Sequence, residues 1–323
     1  MNPQRSRIRG VLTGNTTGER DIMTTAPFTL TGKTVLITGA GMGMGRLYAL
    51  RAAREGAATI VLWDVNPDAM RDVGREVGAL GARAVEQQVD VSELASIQAA
   101  AQTLREVNGI ESPDLLVNNA GIVRDGPFWE HDSEKHTRAV MNINALAPMF
   151  VTAEFLPSMM RKGADQRILN IASAAGTLAN PNMSVYAASK WAVIGWSDSL
   201  RLELERSGSA VKVSTFCPSY ISTGMFAGAT GPLLTPIMSP ETAVDRAWQA
   251  MLKGTPIRLT PWTAKLAMAL RGVLPTRAWD AVAGNVFKVY NSMDHFTGRQ
   301  GQALPHTPAA ASTHGPGATK EQQ

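Results

Sequence analysis

The chain has 323 residues, 44% of them hydrophobic, and 31 Lys and Arg against 27 Asp and Glu, enough apolar sequence for one large core. Its excess charge sits mainly at the ends: residues 1–22 carry four arginines against Glu19 and Asp21, and residues 299–323 carry Arg299 and Lys320 against Glu321, so the basic balance is no argument for nucleic acid, and no such partner is expected. A single cysteine, Cys217, excludes an internal disulfide and suits a reducing, cytoplasmic setting, and five scattered histidines with no Cys/His cluster give no metal site.

Residues 1–25 are polar and rich in Gly, Thr and Arg, without the apolar run of a signal peptide, and are expected to be disordered, with Met23 as the natural start. The first β-rich run, "TVLIT" from Thr34, leads into "TGAGMGMG", Thr38 to Gly45. Here Gly39, Gly43 and Gly45, with Met44 between them, separate a strand from the helical pattern "GRLYALRAAREG". Missing β-carbons at such a junction allow a tight turn and let a pyrophosphate approach the helix N-terminus. The second strand, "TIVLWD" from Thr59, ends in Asp64, some 19 residues after Gly45. An acid there can accept both adenosine ribose hydroxyls and repels a 2′-phosphate, so NAD is expected over NADP; Arg46 is the cation that would argue for the phosphate, and the competing role of Asp64 is a turn or helix-cap acid.

Further strands are expected at "RAVEQQVD" (from Arg83), "DLLVNN" (from Asp114), "RILNIA" (from Arg167), "VKVSTFCP" (from Val211) and "IRLTP" (from Ile257), with helices such as "SELASIQAAAQTLREV" between them. Strand and helix alternating in this way imply one doubly wound α/β domain over 26–261, its parallel sheet covered on both faces and its ligands at the carboxyl ends of the strands. Within "SVYAASKWAV", Tyr186 and Lys190 are four apart in a helical pattern. Their side chains are then neighbours, and the ammonium can bias the ionisation of the phenol. Alone, the same spacing fits an amphipathic helix with one snorkelling lysine.

The motifs "TGAGMGMG", "VDVS", "NNAG", the serine of "IASAAG" and "YAASK" stand in the order and spacing of the short-chain dehydrogenase/reductase family, which roughly residues 30–260 resemble. The resemblance implies a Rossmann fold and nicotinamide chemistry. It implies that Asp90, with Val91, contacts the adenine and that Asn119, Ala120 and Gly121 line the cofactor's path. In "VMNINALAPMF" it places the family's catalytic asparagine at Asn144, supporting a water that links Lys190 to solvent, with Asn142 as a structural runner-up. Pro218 to Thr223 resembles the segment that contacts the nicotinamide amide, through Ile221 and Thr223, although Ser219 stands where a glycine is usual. Hydride loss from an alcohol needs a base near pH 7 to 9, and free tyrosine titrates near 10. Lys190 and the positive nicotinamide are expected to favour phenolate, making Tyr186 the acid/base, Lys190 the ribose anchor and Ser173 the group that polarises the substrate oxygen. Cys217 reads as a small strand-end residue.

Residues 262–298 continue past the last strand as a helical extension. Trp262, Leu266, Met268, Leu270, Val273 and Leu274 form an apolar, weakly basic helix, expected as a lid over a hydrophobic pocket, with Met225 and Phe226 in a loop beside it. A subunit interface is the plainer role for this helix, and membrane contact the less favoured one. "CP…TGMF" and "MDHF" resemble the retinol and long-chain or steroid alcohol dehydrogenase branch, which implies long apolar secondary alcohols as substrates. The other function class is a dinucleotide sensor without chemistry, which the intact Ser173, Tyr186 and Lys190 disfavour. Apolar helix faces carrying Trp191 and Trp196 are expected to pair subunits into a homodimer or homotetramer. No apolar run reaches the length of a membrane span, and residues 299–323 are expected to be disordered.

Overall fold

A computed structural model describes residues 27–231, 235–293 and 296–298. The expected tails, 1–25 and 299–323, and Met23 lie outside the described residues. Seven parallel strands, β1 (Thr34–Thr38), β2 (Thr59–Asp64), β3 (Arg83–Gln88), β4 (Leu115–Asn118), β5 (Gln166–Ile171), β6 (Val211–Pro218) and β7 (Ile257–Thr260), form one sheet in the order β3-β2-β1-β4-β5-β6-β7. The order reverses between β1 and β4, the switch point at which such sheets bind ligands.

Alternation within the strands explains why both faces need cover. Val35 and Ile37 of β1 point to one side, with Ile60, Leu62, Tyr48 and Trp248, while Leu36 points to the other, with Val61, Trp63, Ile168 and Phe155. The first side is roofed by α1 (Gly43–Arg54), α2 (Pro67–Ala79) and α7 (Pro240–Leu252), the second by α3 (Leu94–Glu106), α5 (Ala147–Arg161) and α6 (Ser184–Arg206). Local chemistry starts these helices where they begin: Asn66 Oδ1 accepts the amides of Asp68 and Ala69, and Pro67 occupies the first turn of α2, where its missing N–H costs nothing.

The helical stretch Ser133–Arg161 contains α4 (Ala139–Met141) and α5 and widens to π-helical turns over Ser133–Arg138 and Asn142–Leu146. With mean hydropathy 1.4 over an 18-residue window it is long and apolar enough to cross a membrane, which corrects the expectation that no segment is. Its apolarity is spent on the sheet, where Val151, Phe155 and Met159 are fully buried. After β7 come α8 (Trp262–Val273) and α9 (Thr276–Ala281).

Candidate active site

Because all strands are parallel, every loop singled out in the sequence emerges at one edge of the sheet. Gly39 follows β1 with φ +65° and abuts β4's continuation, where a β-carbon on it would lie 2.9 Å from the Ala120 Cα. A β-carbon on Gly45 would collide with the Gly39 carbonyl oxygen, so α1 can close onto the turn only with glycine there. Around Gly43 the space is open: the nearest atom to a β-carbon would be the Thr223 Cβ, at 4.0 Å. No acidic side chain lies in the first turn of α1, which leaves the positive end of its dipole for an anion. This cradle fits a dinucleotide pyrophosphate.

Asp64 ends β2 with its carboxylate turned back on the glycine turn: Oδ2 accepts the Gly41 amide (2.9 Å) and Oδ1 the Asn66 amide (3.0 Å). Each oxygen keeps lone pairs for further donors. Gly41, missed in the sequence, is therefore part of the site; its signal was the second glycine of "TGAGMGMG". Arg46 is held by Glu76, with Nε to Oε1 at 2.9 Å. Asp90 lies beyond β3 in a turn of its own making, its Oδ1 accepting the Ser92 amide and hydroxyl, and the neighbouring Val91 is buried. Asn119 ties β4 to the glycine turn: Nδ2 donates to the carbonyls of Thr38 and Gly39, and its amide, like that of Ala120, donates to Thr38 Oγ1.

The reactive groups converge around Gly121, where a β-carbon would stand 3.3 Å from Asn144 Oδ1 and 3.7 Å from Lys190 Nζ. Asn144 sits in the second π-helical turn, and its side chain clamps the chain after "NNAG": Oδ1 accepts the Ile122 amide, Nδ2 donates to the Ile122 carbonyl, both at 2.8 Å, and Nδ2 also donates to Ser189 Oγ. Both amide hydrogens are thus committed. Ser189 in turn donates to the Tyr186 carbonyl, coupling Asn144 to α6. Asn142, in the same turn, accepts the Ala147 amide at its carbonyl. Lys190 donates to the Ile171 carbonyl at 3.0 Å, with Nζ 5.8 Å from the centre of the Tyr186 ring.

Ser173 caps a short 3₁₀ turn, Ala174–Gly176, and its hydroxyl reaches the Tyr186 phenol. That turn lies hard against α6, since a β-carbon on Gly176 would stand 2.6 Å from Ile194 Cδ1 and 2.7 Å from the Lys190 carbonyl oxygen. Gly176 was also missed, because its constraint comes from Lys190 and Ile194 of α6, 14 and 18 residues further along the chain. A buried polar ladder steadies the same strands: Asn118 Nδ2 donates to Asn170 Oδ1 and Thr152 Oγ1, and Asn170 Nδ2 to Ser197 Oγ.

Burial governs the electrostatics. It pushes the Tyr186 phenol up to about 12, against the lowering effect of Ser173 and with the Tyr220 phenol pushing the same way. It draws Lys190 down to about 8, partly offset by Cys217. In the chain without cofactor the ammonium lies over the ring and against a carbonyl, and loss of water dominates the phenol, so the phenolate expected of Lys190 and the positive nicotinamide together depends on the nicotinamide. Cys217, fully buried in β6, is pushed up to about 12 and is no nucleophile.

From Ser173 a cleft open to solvent runs out between Leu178, Met183, Tyr220, Phe226 and α8. Phe226 stands edge-on to both Tyr186 and Tyr220. Ile221 is buried and forms a bridge with Met238, so the segment after Pro218 is fixed beside the reacting groups. The cleft face of α8 is made of Thr263, Ala264 and Ala267. This corrects the apolar lid face expected in the sequence: Trp262, Leu266, Met268 and Val273 are exposed, and only Leu270 and Leu274 pack inward, against the cluster around Trp279. Small residues let the helix lie close, and the large ones are left outside. Arg271 fastens α8 to the site, donating to the Thr177 carbonyl (2.8 Å) with its guanidinium 4.7 Å from the Trp191 ring centre. Trp196 packs partly buried on the core, and Trp191 is 42% exposed beside Arg271.

A family model described as short chain dehydrogenase matches residues 33–231, more than half of the chain. The chain belongs to the short-chain dehydrogenase family. Among its relatives, mouse epidermal retinol dehydrogenase 2 is 34% identical over 276 residues, covering 83% of this chain and 86% of the relative. Ketoacyl reductase HetN of Nostoc is 36% identical over 77% of this chain and 87% of its own, and rat estradiol 17-beta-dehydrogenase 11 is 33% identical over 78% and 83%. A short-chain dehydrogenase/reductase from Burkholderia phymatum, solved in complex with NAD, superposes with a TM-score of 0.68 at 28% identity, covering 76% of this chain and 94% of that one. The short-chain dehydrogenase is thus an oxidoreductase by family, with the Rossmann-type sheet expected of it.

Proposed function

We propose that this short-chain dehydrogenase uses NAD to interconvert a long-chain or bulky secondary alcohol and its ketone, as a cytoplasmic homodimer or homotetramer. The observation that carries this reading is Ser173 lining a cleft walled by Leu178, Met183, Phe226 and Ala267, with Tyr186 packed behind Phe226 and beside Ser173. An apolar substrate seated there brings its oxygen to two hydroxyls and the rest of its surface to hydrocarbon. The names of the retinol and estradiol relatives agree with a substrate of this kind.

The bound nicotinamide would accept or supply the hydride. Ser173 holds the substrate oxygen, and Tyr186 passes it a proton or takes one away. With its phenol pushed up to about 12, the chain alone has Tyr186 protonated and ready as the acid of ketone reduction. For alcohol oxidation, the positive charge of oxidised nicotinamide beside Lys190 favours the phenolate. Lys190, drawn to about 8, still carries its proton at neutral pH and can donate to a ribose hydroxyl. Asn144 holds Ile122, and so the floor of the site, in place. The preference for NAD rests on Asp64 at the ribose position and on Arg46 being engaged by Glu76 rather than available to a 2′-phosphate.

The test is NADH formation with secondary alcohols graded by chain length, with NADP in parallel. Turnover should rise with chain length and be confined to NAD, and Tyr186→Phe should remove it while sparing NAD binding. Better turnover of short polar alcohols, or with NADP, would overturn the respective half of the reading.

A further inference from the structure

The outward side of α8 has no partner among the described residues, and its composition is specific. Trp262, Leu266, Ala269 and Val273 are spaced by four, three and four, which places them in one stripe along the helix. Trp262 is 67% exposed, Leu266 40% and Val273 83%. Between residues 253 and 288 the chain carries six cations, Lys253, Arg258, Lys265, Arg271, Arg277 and Lys288, and one acid, Asp280. All six cations are exposed, and Asp280 is engaged by the Tyr290 hydroxyl at 2.7 Å.

We propose that this face of α8 docks on an anionic lipid bilayer, with the Trp262–Val273 stripe lying in the interface and Lys265 of α8 and Arg277 of α9 over the headgroups. A helix with one apolar stripe, an indole at its end and a cationic surround binds such a surface by burying the stripe to the depth of the headgroups while its long cationic side chains reach the phosphates. A second copy of the chain fits the face poorly, because a two-fold contact brings the cations of α8 and α9 together with a single acid, Asp280, on each side. The opposite side of the helix, at Thr263, Ala264 and Ala267, lines the cleft, so docking places the cleft wall one helix diameter from the lipid. This proposal stands on exposure and charge and does not depend on the identity of the substrate.

Flotation of the full chain with vesicles of phosphatidylcholine, with and without phosphatidylserine, tests it. The chain should float with the anionic vesicles and at least tenfold less with the neutral ones. Lys265→Glu with Arg277→Glu should lower partitioning by more than tenfold, since each cation near an anionic surface is worth roughly fivefold. Leu266→Asp with Val273→Asp should lower it as far while leaving the melting temperature unchanged. The two variants touch different halves of the surface, so misfolding of one leaves the other as the test. Absence of flotation on anionic vesicles, or equal flotation of the wild-type chain and the charge-reversed variant, overturns the proposal; so does light scattering that shows the charge-reversed variant losing an oligomer that the wild-type chain forms.

Discussion

Lys190 is buried at 5% exposure with its ammonium donating to the Ile171 carbonyl, and its proton is held less tightly than in water. Folded, it titrates near 8; unfolded, near its ordinary 10.5. Between these values the unfolded chain binds more protons, so stability rises with pH, and below about 8 both states are charged and the slope vanishes. Cys217, moved from 9.0 to about 12, and Tyr186, moved from 10.0 to about 12, act in the opposite sense but only above pH 9. The melting temperature of the cofactor-free chain should therefore climb between pH 8 and 9, and Lys190→Met should flatten the climb; an identical profile in the variant would remove Lys190 as its source. The Tyr186 and Lys190 pair was legible from spacing because four residues in a helix fix a shared face. The hydrogen bonds of Asn144 were not, since Ile122 lies 22 positions away and Ser189 45. A polar residue in a helix shows its type in the sequence, while its partners are set by packing.

The 3₁₀ turn that carries Ser173 depends on its contact with α6. Adding a methyl group at Gly176 drives it into Ile194 and the Lys190 carbonyl, and backbone cannot move out of the way as a flexible side-chain end can. Gly176→Ala should shift Ser173 away from Tyr186, lowering kcat by roughly 10²-fold, the cost of about 1 Å of misplacement, with NAD affinity nearly unchanged. A variant with normal kcat would mean that α6 yields and Ser173 stays in place. The strands were legible at this scale from short β-branched runs between turn signals, and β1, β2 and β6 begin and end where the sequence placed them. The orientation of α8 was not. Its large apolar residues read as the buried side because size and hydrophobicity usually go together with burial; here the gap beside the cleft admits only Thr263, Ala264 and Ala267.

Across the molecule, the site draws on loops from both halves of the sheet: the glycine turn and Asp64 on one side of the switch point, and Ser173, Pro218 and Thr223 on the other. A cofactor lying over that edge binds only when both halves are in register, so NAD should raise the melting temperature as a single transition. At a hundred times its dissociation constant it adds about 2.7 kcal/mol, roughly 5 to 10 °C for a domain of this size. NADP at the same concentration should add less, and equal shifts would count against Asp64 as the discriminator. The doubly wound order was legible because parallel strands need a crossover between them, whereas the close fit of the 3₁₀ turn on α6 arises only once the sheet has formed. The Arg271 guanidinium, seated on Trp191, joins α8 to α6 through an indole, whose emission shifts with the charge beside it. In a chain whose other six tryptophans are replaced, any displacement of α8 from α6 would therefore be read in the colour of the light that Trp191 emits.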